Sequence, residues 1–308
     1  MSNNPAVSDH AKGLAITALG VLFLTPDTLL IRLIDIDQWT MIFWRGALMA
    51  CGLSIYVVVM HKGGTLRAFQ RIGWPGLGVG LGYCLSSISF VAAVEHTSVA
   101  NTLVIVASAP MFAALFSWVF LKERVPVRTM LAMLGTFGGI AIVLGQSLSG
   151  GHIMGDLAAL GAAASLASAF VLVRLKKAVD MIPAVVLGSV LPALVAYGSG
   201  LATPSAVPTE SIWLLILMGL IMLPLSFGLI TVGPRYIPAP EVGLLLLLET
   251  VLGPFWVWLV IGEQVDTTTM IGGGIVILTL ALNSAFALRQ KSAVEDPGQL
   301  SEPQVSEP

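Results

Sequence analysis

The chain has 308 residues, a net charge of −2, 56% hydrophobic residues and only 10% charged ones. Soluble domains carry about 25% charged residues, so this supply cannot cover a water-facing surface, and lipid must surround most of the chain. The basic residues are too dispersed for a nucleic-acid surface, and Cys51 and Cys84 sit inside apolar runs as small packing residues.

The first twelve residues are polar, and the apolar run after them is long enough to stay in the membrane rather than serve as a cleaved signal. A span needs about 20 apolar residues to cross the hydrocarbon layer. Ten such runs are expected, at 14–33, 40–60, 74–93, 98–121, 127–144, 155–173, 182–201, 213–232, 240–261 and 269–288. They are read as helices, because lipid offers no partner to an unpaired backbone amide or carbonyl. From Ser292 the tail is acidic and rich in Pro and Ser, and is expected to be disordered.

The charges test the count of spans. With the N-terminus in the cytoplasm, thirteen of the 15 Lys and Arg fall on the inner side, from Lys12 to Lys291. Arg32 alone falls outside, and Arg45 lies within the second run. Such a bias is the positive-inside signature, and it would collapse if one span were miscounted. Both termini are therefore expected in the cytoplasm.

The stretch 97–130 occurs again, shifted by 140 positions, at 237–270. Trp118 falls on Trp258, Glu123 on Glu263, Val125 on Val265, and Thr129 and Met130 on Thr269 and Met270. Tryptophan and glutamate are scarce in this chain, so their register points to an internal duplication. Ten spans in two related halves give five per half, and an odd number forces the second half to enter the membrane from the opposite side. Inverted repeats of this kind build carriers that expose a central site alternately.

Phe43–Gly46 (FWRG), the starts Thr97–Asn101 (TSVAN) and Ile237–Glu241 (IPAPE), the breaks at Glu123 and Glu263, and the five-plus-five repeat resemble the drug/metabolite transporter superfamily. Within it the chain is similar to EamA-type carriers, and most of all to bacterial amino-acid exporters. The resemblance covers about 13–288. It implies an all-α integral membrane protein, with ten helices as two inverted five-helix repeats around a central cavity. That cavity would be lined mainly by the first, third and fourth helices of each half. The expected division is 1–12 as a cytoplasmic segment, 13–145 and 146–290 as the repeats, and 291–308 as the tail. One departure is visible: Thr250 stands where the first copy has Pro110, with Pro254 four residues on, so the second helix break is expected one turn later.

Ionisable residues inside spans are costly and mark function or pairing. Asp27, Arg45 and Glu249 qualify. At 1.5 Å per residue Asp27 and Arg45 reach similar depths, so Asp27 either pairs with Arg45 as a structural ion pair or contacts substrate. Glu249 lies roughly 14 Å from the inner edge with no basic residue expected at its depth. It is either a proton-exchanging substrate residue or a neutral, hydrogen-bonded one. Pro26, Pro110 and Pro254 interrupt spans and are candidate helix breaks or gating points; Pro192 and Pro224 interrupt two more.

Tyr83, Ser87, Asn101 and Ser165 are polar residues placed to join Asp27 and Glu249 in a substrate site. The glycines at 76, 78, 80 and 82 lack the strand and the Lys-Ser/Thr of a phosphate loop, and are read as points of close helix approach. No constellation for membrane proteolysis or metal binding is present, so no enzyme, metal or cofactor is expected. The reading is a secondary carrier of small polar metabolites, foremost an inner-membrane exporter of neutral or aromatic amino acids, with protons as a candidate coupling partner. Another metabolite or drug, or a channel-like protein, is the alternative. Surplus negative charge in the core disfavours nucleotide sugars.

Overall fold

The computed structural model describes residues 5–122, 127–237, 241–242 and 245–295. Glu123, the start at Pro238 to Pro240 and the tail from residue 296 lie outside the described residues. Every regular element among the described residues is helical. In chain order they are α1 (Pro5–Leu24), α2 (Asp27–Ile34), α3 (Gln38–His61), α4 (Thr65–Arg71), α5 (Gly73–His96), α6 (Val99–Val106) and α7 (Ala109–Leu121). There follow α8 (Val127–Gly150), α9 (Ile153–Leu175), α10 (Ile182–Gly198), α11 (Ile212–Ile216), α12 (Leu223–Val232), α13 (Leu247–Ile261) and α14 (Thr267–Glu295). Helix α14 thus runs past Ser292, where the tail was expected to begin.

Among the described residues six helical stretches are long and apolar enough to cross a membrane: His10–Ile34, Gln38–His61, Gly73–His96, Val99–Leu121, Ile153–Leu175 and Thr209–Arg235. Four shorter apolar helices, Met130–Gly145, Ile182–Gly198, Leu247–Ile261 and Thr267–Asn283, occupy the other expected runs.

The sequence explains where the helices stop. Asp37 caps α3 by accepting from the amides of Trp39 and Thr40, at 3.1 and 3.0 Å, and Ser98 caps α6 by accepting from the Asn101 amide at 3.1 Å. Helix α7 ends on Lys122 at φ 55° and α13 on Gly262 at φ 81°. These residues are 140 apart, so both copies end this helix with the same left-handed turn, which glycine enters freely and lysine only at a cost. Before α12 the chain widens into a π-helical turn, Leu217–Met222, immediately ahead of Pro224. Proline has no amide and its ring crowds the carbonyl four residues back, which accounts for the lost α-helical register there.

Packing depends on missing side chains. Two helices in lipid gain nothing from hiding apolar surface from water, so close backbone approach at small residues supplies the contact. A methyl group added at Gly46 of α3 would lie 2.6 Å from the Ser189 carbonyl of α10. One at Gly82 of α5 would lie 2.9 Å from the Ser165 carbonyl of α9, and one at Gly80 would lie 3.0 Å from the Ala184 carbonyl of α10. The glycines of α5 therefore serve two neighbouring helices at once. Gly139 of α8 and Gly272 of α14 meet reciprocally, each added methyl falling 2.6 Å from the other's carbonyl. The main pairings are α5 with α9, α1 with α12, α3 with α10, α8 with α14, and α5 with α10.

Bonds between turns fall into two groups. In one, Arg32, Thr97 and Glu263 join, Thr203 meets Asp37 and Thr40, Trp44 donates to the Pro204 carbonyl, and His152 meets the His96 carbonyl. In the other, His10 meets Glu241, His61 lies by Asp180, and Arg235 donates to the Lys177 carbonyl. The duplicated Trp118 and Trp258 both point outward, about half exposed.

Candidate functional site

The first span is broken at Thr25–Pro26, which places Asp27 at the start of α2. An acid in a first helical turn is favoured by the helix dipole, and here it also lies where the chain departs from helical continuity. Asp27 is fully buried and Arg45 of α3 nearly so. Arg45 Nη1 donates to both carboxylate oxygens of Asp27, at 2.6 and 2.7 Å, and the guanidinium lies over the Phe90 ring, 5.4 Å from its centroid. The pairing inferred from equal depth is thus present, made through one nitrogen rather than as a two-nitrogen fork.

Glu249 occupies the first turn of α13, just after a break at Leu246. Its carboxyl makes no ion pair among the described residues. It shares one cavity with Asp27 and Arg45 and interacts electrostatically with both. No basic residue was expected at its depth, yet Arg45 lines the same cavity. Arg45 is long enough to project across the helix interface, which counting residues along separate helices cannot register.

The cavity holds about 50 Å³ of water-accessible space. Tyr83 forms much of one wall; its hydroxyl shares a 2.7 Å hydrogen bond with Thr231, and its ring meets Phe170 and Phe227 edge-on. Ser86, Ser87 and Ser189 add hydroxyls. Four pairs of lining residues, Met49 and Ser189, Ser87 and Phe227, Phe90 and Ile230, and Val106 and Leu246, are each 140 positions apart. The cavity thus lies where equivalent parts of the two copies meet. Arg45, Gly46, Gly188 and Ser189 add the second helix of each half to the lining, beyond the three helices that the resemblance implied.

Of the residues singled out from sequence, Asp27, Arg45, Tyr83, Ser87 and Glu249 line this cavity. Asn101 does not. It accepts a hydrogen bond from Thr269 in a second cavity of about 440 Å³, beside Arg32, Thr97 and Glu263. Ser165 is also elsewhere, its carbonyl packed against Gly82 between α5 and α9.

Pro26 precedes the charged turn, and Pro110 sits in the first turn of α7, after the break at Ala107–Ser108. The break in the second copy was expected one turn late. It falls instead at Leu246, one residue before the position equivalent to Ala107, and Pro254 lies inside α13. The inherited register of the break therefore outweighs the position of the proline. Two tryptophans tie helices together outside this cavity, Trp44 donating to the Pro204 carbonyl at 3.1 Å and Trp256 to Thr25 at 3.2 Å. Phe227 escaped the sequence reading, although applying the 140-residue shift to Ser87 points directly to it. Ser189 and Phe170 had no such signal.

The EamA-like transporter family matches residues 11–145 and again residues 153–285. The chain belongs to the EamA-like transporter family. It carries two EamA units, as the duplication required, and is a multi-pass membrane transporter of the drug/metabolite transporter superfamily. A human relative of this EamA protein, solute carrier family 35 member G1, is 33% identical over 101 residues. That match spans 29% of this chain and 28% of the relative. A solved structure described only as "Crystal structure of protein" shares the fold, with a TM-score of 0.67 at 16% identity, covering 91% of this chain and 99% of that one.

Proposed function

We propose that this EamA transporter is a secondary carrier exporting amino acids, foremost neutral or aromatic ones, across the inner membrane by alternating access. The carrying observation is that two acids and one arginine face a single aromatic-walled cavity between the two EamA units. With Asp27 and Arg45 paired, Glu249 leaves the site one negative charge in excess. An amino-acid zwitterion complements it, its ammonium near Glu249 or Asp27 and its carboxylate near Arg45. The rings of Tyr83, Phe90 and Phe227 supply a surface for an apolar side chain.

Alternating access requires the two halves to separate around the site on one side and then on the other. Uptake and efflux by the reconstituted protein against a panel of amino acids tests the reading. Movement of a phosphorylated sugar and of no amino acid would overturn it.

Ten spans in two inverted halves, with cytoplasmic termini, are the topology this mechanism needs. Two features support it. Helix pairings recur in register, α5 with α9 and α12 with α1, while α3 with α10 and α8 with α14 each join equivalent helices of the two halves. The two groups of turn contacts also match the two sides that the charge bias separates. Labelling of Gln264→Cys should occur from outside only; labelling from the cytoplasm alone contradicts the inversion.

Glu249 favours one further element, proton exchange. Its carboxyl has no ion-pair partner among the described residues, so it can hold a proton or the substrate's ammonium but not both. That competition would couple export to proton entry.

A further inference from the structure

We infer that the short helix α4 and the turn facing it form a phosphate-binding pocket that holds the headgroup of an anionic phospholipid. After α3 the chain reverses through Lys62 and Gly63, both with positive φ, and α4 then packs back through buried Ala68. This leaves Arg67 and Arg71, four residues and one helical turn apart, lining a cavity of about 420 Å³. Its far wall is the turn 178–180 between α9 and α10.

Neither arginine forms an ion pair among the described residues. The acid in the cavity is already engaged, with Asp180 Oδ1 accepting from the Ile182 amide at 3.1 Å and Oδ2 lying 3.8 Å from His61 Nε2. Two neighbouring guanidinium groups without an ion-pair partner repel each other, and a phosphate relieves this by accepting from both.

The surroundings favour a lipid over a free ion. Leu66, beside Arg67, is 73% exposed, and Trp74, at the start of α5, is 85% exposed. Both suit the boundary between hydrocarbon and headgroups, where tryptophan concentrates. A phosphate at this level arrives with acyl chains that can cover these side chains. Basic residues at a membrane surface attract anionic headgroups in this way.

The test uses the full-length protein in nonionic detergent, with thermal unfolding followed as lipid is added. Micelles containing phosphatidylglycerol should raise the melting temperature by about 3–6 °C. Micelles with phosphatidylcholine, or inorganic phosphate alone, should raise it far less. Arg67→Gln with Arg71→Gln should abolish the difference between the lipids without lowering the melting temperature measured with no lipid added. Lys122→Gln with Lys176→Gln removes equal charge outside the cavity and should preserve it. Arg67→Lys with Arg71→Lys should retain binding at reduced affinity.

A shift that persists in the Arg67→Gln, Arg71→Gln protein, or that phosphatidylcholine equals, overturns the assignment. A shift produced equally by inorganic phosphate overturns the lipid as occupant and leaves a free-phosphate site.

Discussion

The two EamA units share a scaffold and differ in chemistry. Both break their fourth span at nearly one register, Ala107–Ser108 and Leu246, and both end it on a left-handed residue, Lys122 and Gly262. Both contribute matched residues to the cavity wall. The charged residues are not matched: the 140-residue shift carries Asp27 to Ala167, Arg45 to Val185, and Glu249 back to Ala109. Nor are the distortions matched. The Thr25–Pro26 break has no counterpart in the continuous helix α9, and the π turn Leu217–Met222 has none in the continuous helix α5. Duplication thus supplied the helix-to-helix contacts, and later divergence placed an ion pair in one half and an unpaired acid in the other.

The sharpest way to break this comparison is to remove one charge of the pair. Asp27→Asn or Arg45→Gln alone leaves a buried charge without its partner, and each should cost about 3–5 kcal/mol of stability. The double variant should recover part of that loss. Thermal unfolding in detergent measures it. Normal stability together with abolished transport in Asp27→Asn would instead make Asp27 a substrate contact.

The shared scaffold is tested at neighbouring glycines of α8. Gly139→Ala forces a methyl against the Gly272 carbonyl and should cost about 1–3 kcal/mol. Gly138, one residue earlier, has open space around its would-be side chain, so Gly138→Ala should be neutral or stabilising by about 0.5–1 kcal/mol. Equal effects at the two positions would argue against the α8–α14 contact.

Glu263 has a smaller role. Its carboxylate accepts from the Val99 amide at 3.0 Å and lies 3.5 Å from Arg32, joining the ends of three helical segments. Glu263→Gln should cost about 1 kcal/mol, the usual worth of a helix cap and an exposed ion pair. Unfolding measurements at low and high salt should show the difference shrinking as salt rises.

The smallest change in stability, and the most specific change in function, is expected at Glu249. Glu249→Gln keeps shape and hydrogen-bonding reach but cannot release a proton. It should leave the fold intact, abolish transport driven by a pH gradient, and spare downhill exchange of substrate. Reconstituted wild type and variant, compared across imposed pH gradients, distinguish the cases. Identical pH dependence in the two proteins would leave Glu249 as a structural residue.

The sequence by itself determined the environment of the chain, its helical class, its duplication and its family. Each follows from composition or local pattern: too few charges for water, apolar runs of membrane length, and scarce residues repeating at one shift. It also identified the three ionisable residues, because a charge in an apolar run stands out wherever the run packs. Only the tertiary structure decided what these residues face. Depth along a helix is a one-dimensional quantity that set Asp27 level with Arg45 and left ion pair and substrate contact both open, but the direction a side chain takes around the helix depends on its neighbours. That direction brought Arg45 within electrostatic reach of Glu249, sent Asn101 and Ser165 to other contacts, and recruited Ser189 and Phe170 to the cavity wall.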